Sequence, residues 1–183
     1  MSGLILPFMG ISPRIAADAY IAETAAVIGD VEVGSEASLW FGVVARGDYA
    51  KIRIGARTNV QDGTIIHIDR APIDTVIGAD ILIGHAAVIH ACTLEDRCFV
   101  GMKACVMDGA VVETGAMVAA GALVTPGKHV RKGELWAGNP AKLLRPLRAD
   151  ESEKLTEAAA HYVEFARQFR KEQEARLRAQ AAQ

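Results

Sequence analysis

Three of the five histidines in this 183-residue chain, His67, His85 and His90, fall in one stretch just downstream of Asn59, Gln61 and Asp62. Neutral imidazole is the commonest protein ligand for zinc, and three imidazoles with one open position make a catalytic metal site. Such a site brings a Lewis acid and an ionisable water beside polar side chains. A histidine pair five residues apart is a weak signal on its own, because an imidazole on an aliphatic strand is commonly structural. The elements that carry these residues must decide the question.

Those elements repeat. Ile15, Ile21, Val27, Val33 and Leu39 are spaced by six, with Ala19, Ala25, Val31 and Ala37 two places before the last four. The period resumes at Ile54, Val60 and Ile66, and again at Ile77, Ile83 and Ile89. After a one-residue contraction it runs unbroken through Leu94, Val100, Val106, Val112, Val118, Val124 and Val130. Cys92, Cys98, Ala104, Ala110, Ala116 and Ala122 stand two places before the first six of these. A period of six suits neither an amphipathic helix nor an alternating strand. It suits a prism of short parallel strands, with the aliphatic residue inward and coils stacked about 4.8 Å apart. Gly55, Gly78, Gly84 and Gly101, each just after an aliphatic position, are expected to supply backbone freedom at the corners.

Two breaks in the period read as loops thrown out from the prism. One contains Arg46, Gly47, Asp48, Tyr49 and Ala50; the other is HIDRAPIDT, from His67 to Thr75. Functional groups collect on such excursions from a rigid scaffold. Past Val130 the repeat ends in LWAGNPAKLLR, and Asp150 with Glu153 reads as a helix start. Leu155, Ala158, Ala159, Tyr162, Ala166 and Phe169 mark one apolar face of a helix reaching about Leu177. The expected organisation is mainly β: a prism over residues 1–147, and a C-terminal α-helix over 148–183 packing on it. His129 and His161 have no partner at ligand spacing and read as surface residues.

Composition supports this outline. AVILMFWYC residues reach 51% while aromatics are 5%, and there are 17 glycines, which suits short strands with tight corners. The net charge of −2 carries no electrostatic footprint for nucleic acid. The three cysteines, Cys92, Cys98 and Cys105, form no C-x-x-C pair, and two occupy small-residue positions of the repeat. They read as reduced, buried residues. No stretch reaches the length of a membrane span and no signal peptide is expected, so a cytoplasmic location is expected.

The repeat also constrains the histidines. His67 follows Ile66 and His90 follows Ile89, so both occupy one place in their hexads. They are 23 residues apart, of which five belong to the HIDRAPIDT excursion, leaving 18, one full coil. The two side chains should therefore stack, unless Val88 rather than Ile89 is the inward residue. His85 is nearly a face away, on the order of 15 Å, and should not reach a metal held by His67 and His90 of its own chain. A symmetry-related subunit could deliver it.

ARGD at Ala45–Asp48, TNVQDG at Thr58–Gly63, IIH at Ile65–His67, IGHAAVIH at Ile83–His90 and LWAGNPAK at Leu135–Lys142 together resemble the gamma-class carbonic anhydrases. The resemblance covers about residues 10 to 147. It implies a left-handed parallel β-helix, a homotrimer, and a metal at each subunit interface held by His67 and His90 of one chain and His85 of the next. Zinc is the implied ion, and imidazole also suits Fe2+ and Co2+. Arg46 and Asp48 resemble the family's interface ion pair. Gln61 resembles the residue that orients the metal-bound water, with Asn59 and Asp62 beside it. The implied activity is reversible hydration of carbon dioxide to bicarbonate, a lyase reaction that must export a proton.

Here the chain departs from the most active branch of the family. Tyr49 stands where that branch has a glutamate shuttle, and a tyrosine with an ordinary pKa near 10 relays protons poorly at neutral pH. The acidic loop is shortened to HIDRAPIDT, with Asp69 and Asp74 only. Slow hydration is expected. Other readings of the same repeat are an acyl- or acetyltransferase using acetyl-CoA, a metal-dependent thioester hydrolase, and a purely structural trimer.

Overall fold

Each six-residue unit buries one aliphatic side chain and forms one short strand. Val60, Ile66, Ile83, Ile89, Val100 and Val106 have no exposed surface. The strands Asn59–Val60, Ile65–His67, Leu82–Ile83 and Val88–His90 pair in parallel, coil upon coil. In-register pairing sets Ile66 beside Ile89 and Val60 beside Ile83, so the inward residues stack into one continuous core. Ile89 is the inward residue; Val88 is 37% exposed and points out. The protein is thus a parallel β-helix, seen here in a computed structural model that describes residues 3–69 and 73–181. Arg70, Ala71 and Pro72 of the second excursion, and the side chain of Leu155, lie outside the described residues.

The corners are made differently from expectation. From Ile83 onward the left-handed residue lies three before the inward aliphatic, as it does before Val60: Arg57, Asp80, Ala86, Arg97 and Lys103 have φ near 57–58°, and Gly109 continues the series at 65°. Each donates its N–H to a carbonyl one coil earlier, Asp80 to Ala56 at 3.0 Å and Lys103 to His85 at 2.8 Å. Those bonds hold non-glycine residues in a region they seldom adopt. Gly55, Gly78, Gly84 and Gly101 have no such φ. They sit where successive coils touch: a Cβ on Gly55 would meet the Gly78 carbonyl carbon at 2.4 Å, and one on Gly101 the Ala120 nitrogen at 2.4 Å.

Three faces result. The first carries Ile65–His67, Val88–His90, Cys105–Val106 and Leu123–Val124 in order. The second carries Thr75–Ile77, Thr93–Leu94, Val111–Val112 and His129–Val130. Two longer strands, Ala26–Val33 and Val44–Ile54, turn the corner between them. The third runs from Tyr20–Ile21 to Glu134–Ala137 and ends in the antiparallel strand Lys142–Pro146. The first expected loop proves to be part of a strand. Gly29 pairs with Gly47 but Val31 pairs with Ile52, so Asp48, Tyr49 and Ala50 bulge outward within Val44–Ile54.

The α-helix spans Ala149–Ala181. Its capping glutamate is Glu151 rather than the expected Glu153, with Glu151 accepting from the Arg148 backbone N–H at 2.8 Å. The helix lies on the third face of its own prism. Ala159, Val163, Ala166 and Gln173 are buried, so Val163 and Gln173 join the expected stripe. Phe169 meets the Trp40 ring at 5.0 Å, and Trp40 in turn meets Tyr20 at 5.3 Å. Gln173 Nε2 donates to the Ile21 carbonyl at 3.2 Å. Among the described residues no helix is long and apolar enough to cross a membrane.

Candidate metal centre

His67 and His90 end adjacent strands on the first face and are paired in register. The β-pleat turns Ile66 and Ile89 inward, so the next residue on each strand projects outward at the same corner. Both rings are partly buried, with Nδ1 of His67 3.3 Å from Nε2 of His90. Thr75, where the second excursion rejoins the prism, donates its hydroxyl to the His67 carbonyl at 2.6 Å and pins that backbone.

Each ring has a carboxylate on its far side. His67 Nε2 donates to Asp48 Oδ1 at 3.1 Å. His90 Nδ1 makes a close hydrogen bond to Asp108 Oδ1. Asp48 also pairs closely with Arg46 of the same chain, and its side chain is 8% exposed. Burial alone would push the Asp48 carboxyl up, but the hydrogen bond from His67 and the charge of Arg46 leave it below the usual carboxylate range. Burial, then the charge of Arg46, lower His67 despite the opposing pull of Asp48, which favours a neutral ring.

The consequence is geometric. When each ring turns its N–H outward to its carboxylate, two lone pairs face each other across 3.3 Å. Two nitrogens on one tetrahedral zinc, at about 2.0–2.1 Å each, stand about 3.3 Å apart. The pair therefore fits a zinc ion, and a carboxylate behind each ring is the usual support for a ligating histidine. Among the described residues no three histidine, cysteine or acidic side chains of the single chain are arranged to hold an ion.

His85 belongs to a second cluster. It occupies the turn that leads from the third face into Val88–His90, and its Nδ1 lies 3.0 Å from Asp62 Oδ2. Gln61, 3% exposed, joins His85 in lining a cavity of about 450 Å³, whose walls are mostly apolar and include Phe99, Met102 and Tyr162. Asn59 is turned under the helix, where its Nδ2 donates to Ser38 Oγ at 2.8 Å. The expected site residues thus fall into two halves: His67, His90, Asp48 and Arg46 at one corner, and His85, Asp62 and Gln61 at another. Tyr49 is 67% exposed and lines an open cavity of about 440 Å³ with Phe8, Asp48 and Asp74. Asp74 accepts from the Lys51 backbone N–H at 2.9 Å. His129 and His161 are exposed, as expected.

Asp108 was missed by sequence reasoning. It lies 18 residues from His90, one coil along the same corner, and that 18-residue step is the signal that could have found it.

No family model matches the chain. Gamma carbonic anhydrase 2, mitochondrial, of Arabidopsis thaliana is 45% identical over 85% of the chain, and the chain spans 58% of that longer relative. The carbonic anhydrase of Geobacillus kaustophilus is 38% identical over 94% of each chain. Among solved structures, a hexapeptide transferase family protein of Anaplasma phagocytophilum superposes with a TM-score of 0.89 at 47% identity, covering 92% of this chain and 99% of that one. The repeat architecture and the near full-length match to a carbonic anhydrase, a lyase, lead to one assignment: the chain belongs to the gamma carbonic anhydrase family.

Proposed function

We propose that this protein catalyses reversible hydration of carbon dioxide to bicarbonate at zinc sites shared between the chains of a homotrimer, in the cytoplasm. The observation that carries this reading is the pair of imidazole nitrogens 3.3 Å apart, with a carboxylate behind each ring. His67 and His90 hold the ion, and the partner subunit's His85 supplies the third nitrogen. Zinc held there would supply Lewis acidity and an ionisable water near neutral pH; Fe2+ or Co2+ suits the same ligands. Asp48 and Asp108 keep the ligating nitrogens free of protons. Gln61 arrives with His85 and offers an amide to orient water, while Asp62 holds the His85 ring. Arg46 anchors Asp48. Tyr49, at the rim beside Asp48, is a poor proton relay, so hydration is slow.

A trimer is supported by the surface of the first face. Its outward residues, Val44, Ile65, Val88, Cys105 and Leu123, are all apolar and run beside the His67–His90 corner. The helix covers the third face instead, and the second face carries the Glu32–Arg53 ion pair at 3.4 Å. An open apolar stripe of this kind marks a protein–protein contact.

Metal analysis of aerobically and anaerobically purified protein, paired with a stopped-flow hydration assay, tests the reading. About one metal per chain with measurable hydration is expected. Absence of stoichiometric metal under both conditions sinks it. Acyl transfer is the second reading, favoured by the apolar cavity beside His85 and by the name of the Anaplasma relative. It predicts acetyl-CoA binding without zinc.

A further inference from the structure

The His67–His90 pair has two ways to arrange its protons. With the His90 proton on Nδ1, two lone pairs face each other and the gap accepts a cation. With the proton on Nε2, His90 donates across 3.3 Å to His67 Nδ1, and a hydrogen bond closes the gap. Free neutral imidazole takes either tautomer, and its environment selects one. Something in the fold must therefore decide.

We infer that Asp108 makes this decision, acting as a positioning residue that holds the His90 proton on Nδ1 and keeps Nε2 open. Asp108 Oδ1 meets His90 Nδ1 directly, and a carboxylate can only accept there. Its backbone is tied to the coils on both sides. The neighbouring Gly109 donates its N–H to the Ala91 carbonyl at 2.7 Å, and Gly127 donates to the Asp108 carbonyl at 2.9 Å. Gly109, at a φ of 65°, makes the turn that places the carboxylate. At the same point of their coils, two places after the inward aliphatic, stand Ile68, Ala91 and Pro126, none of which could accept this proton. Asp48 does the equivalent work for His67 from the other end of the column, so the two carboxylates point the two lone pairs at each other.

The inference rests on His90 being a metal ligand, and its test separates the two claims. In the full-length apo protein at alkaline pH, two-bond 15N–1H correlations report which nitrogen of His90 carries the proton. Wild type should show the Nδ1–H tautomer, Asp108→Ala should move to Nε2–H, and Asp108→Asn, whose amide oxygen still accepts, should keep Nδ1–H. Zinc affinity, measured by competition with a chelator, should fall about 10- to 100-fold in Asp108→Ala and less in Asp108→Asn. An Nε2–H tautomer in wild type overturns the inference, and that spectrum decides even if Asp108→Ala does not fold. An unchanged tautomer and affinity in a folded Asp108→Ala overturns it as well. A tautomer that moves from Nδ1–H in wild type to Nε2–H in Asp108→Ala, with no zinc binding in either, upholds the role of Asp108 and removes the proposed metal.

Discussion

His67 and His90 are 23 residues apart in sequence yet lie in register on adjacent coils, with facing nitrogens 3.3 Å apart. A β-helix produces this juxtaposition cheaply, because any side chain repeats at the same corner once per coil. The same rule keeps His85 away. It stands at the opposite end of the first face, so two of the three ligand candidates are local and the third is remote.

That division predicts the metal content of single variants. His67→Ala, His85→Ala and His90→Ala should each lose most of the bound metal, measured by elemental analysis after gel filtration. His129→Ala should retain it, because His129 is exposed and engages Glu113 at 2.9 Å on a different corner. Affinity should also decline in acid, since metal and proton compete for imidazole nitrogens. Metal retained by His67→Ala, or lost by His129→Ala, contradicts the ligand assignment.

Much of this arrangement was legible in the sequence because a six-residue period translates directly into facing direction. Ile66 and Ile89 are inward, and the stacking of His67 on His90 follows from that alone. Less legible were the features that depend on contacts between coils. The glycines after the aliphatic positions looked like corner residues, yet they serve close approach, which no spacing reveals. Asp48 and Tyr49 looked like a loop, but backbone pairing keeps them in a bulged strand. Asn59 and Gln61 flank the inward Val60 and share its outward side, yet Asn59 is held by Ser38 while Gln61 lines the cavity with His85, a split set by neighbours from other coils. Asp108 escaped notice because its partner is a coil away and the neighbouring coils of the first face carry Ile68, Ala91 and Pro126 at that place.

The two sides of the strand Val88–His90 should respond oppositely to substitution. Ile89→Ala removes a fully buried side chain and should cost about 2–5 kcal/mol of stability by denaturant titration. Val88→Arg leaves the coil intact but places a charge on the apolar stripe. It should dissociate the proposed trimer in sedimentation velocity with little change in far-UV circular dichroism. A trimer unaffected by Val88→Arg would move the interface to another face.

Glu151 ties the helix start to the final strand. Arg145 donates two hydrogen bonds to its carboxylate, both 2.7 Å, and the Arg148 N–H adds a third. The Arg145 hydrogen bond, then that from Arg148, hold the Glu151 pKa down to about 2 from an ordinary 4.5. A depressed carboxylate stabilises the fold fully above its unfolded pKa and loses that contribution as pH falls through the folded one. The difference in melting temperature between wild type and Glu151→Gln should therefore be constant at neutral pH and shrink between about pH 4.5 and 2. A difference that persists unchanged at pH 2 would remove Glu151 as its origin.

Tyr49 projects from the bulge beside Asp48, at the rim of the candidate site. If proton export limits hydration, imidazole buffer should accelerate the wild-type protein. Tyr49→Glu should raise turnover by about 100-fold, the low side of what a positioned acid–base group supplies. Fast hydration that ignores buffer concentration would assign proton export to another residue.

Mixing inactive variants tests whether the site is divided between chains. His85→Ala retains His67 and His90, and His90→Ala retains His85. When the two are co-expressed in equal amounts and assemble at random, a site is rebuilt wherever a His85→Ala chain precedes a His90→Ala chain around the ring. Each condition has even odds, so about one quarter of all sites should recover in a closed threefold ring. Every mixed trimer should hold one ion whatever its ratio, because a ring of two chain types contains a single junction in that order. Mixing His67→Ala with His90→Ala should recover none, since both ligands must come from one chain. Native mass spectrometry counts metal per trimer and requires no knowledge of the substrate. Recovery in the second mixture would mean that His67 and His90 act from different chains, and the in-register stacking seen here could not then be the ligand pair. No recovery in the first would place His85 outside the site.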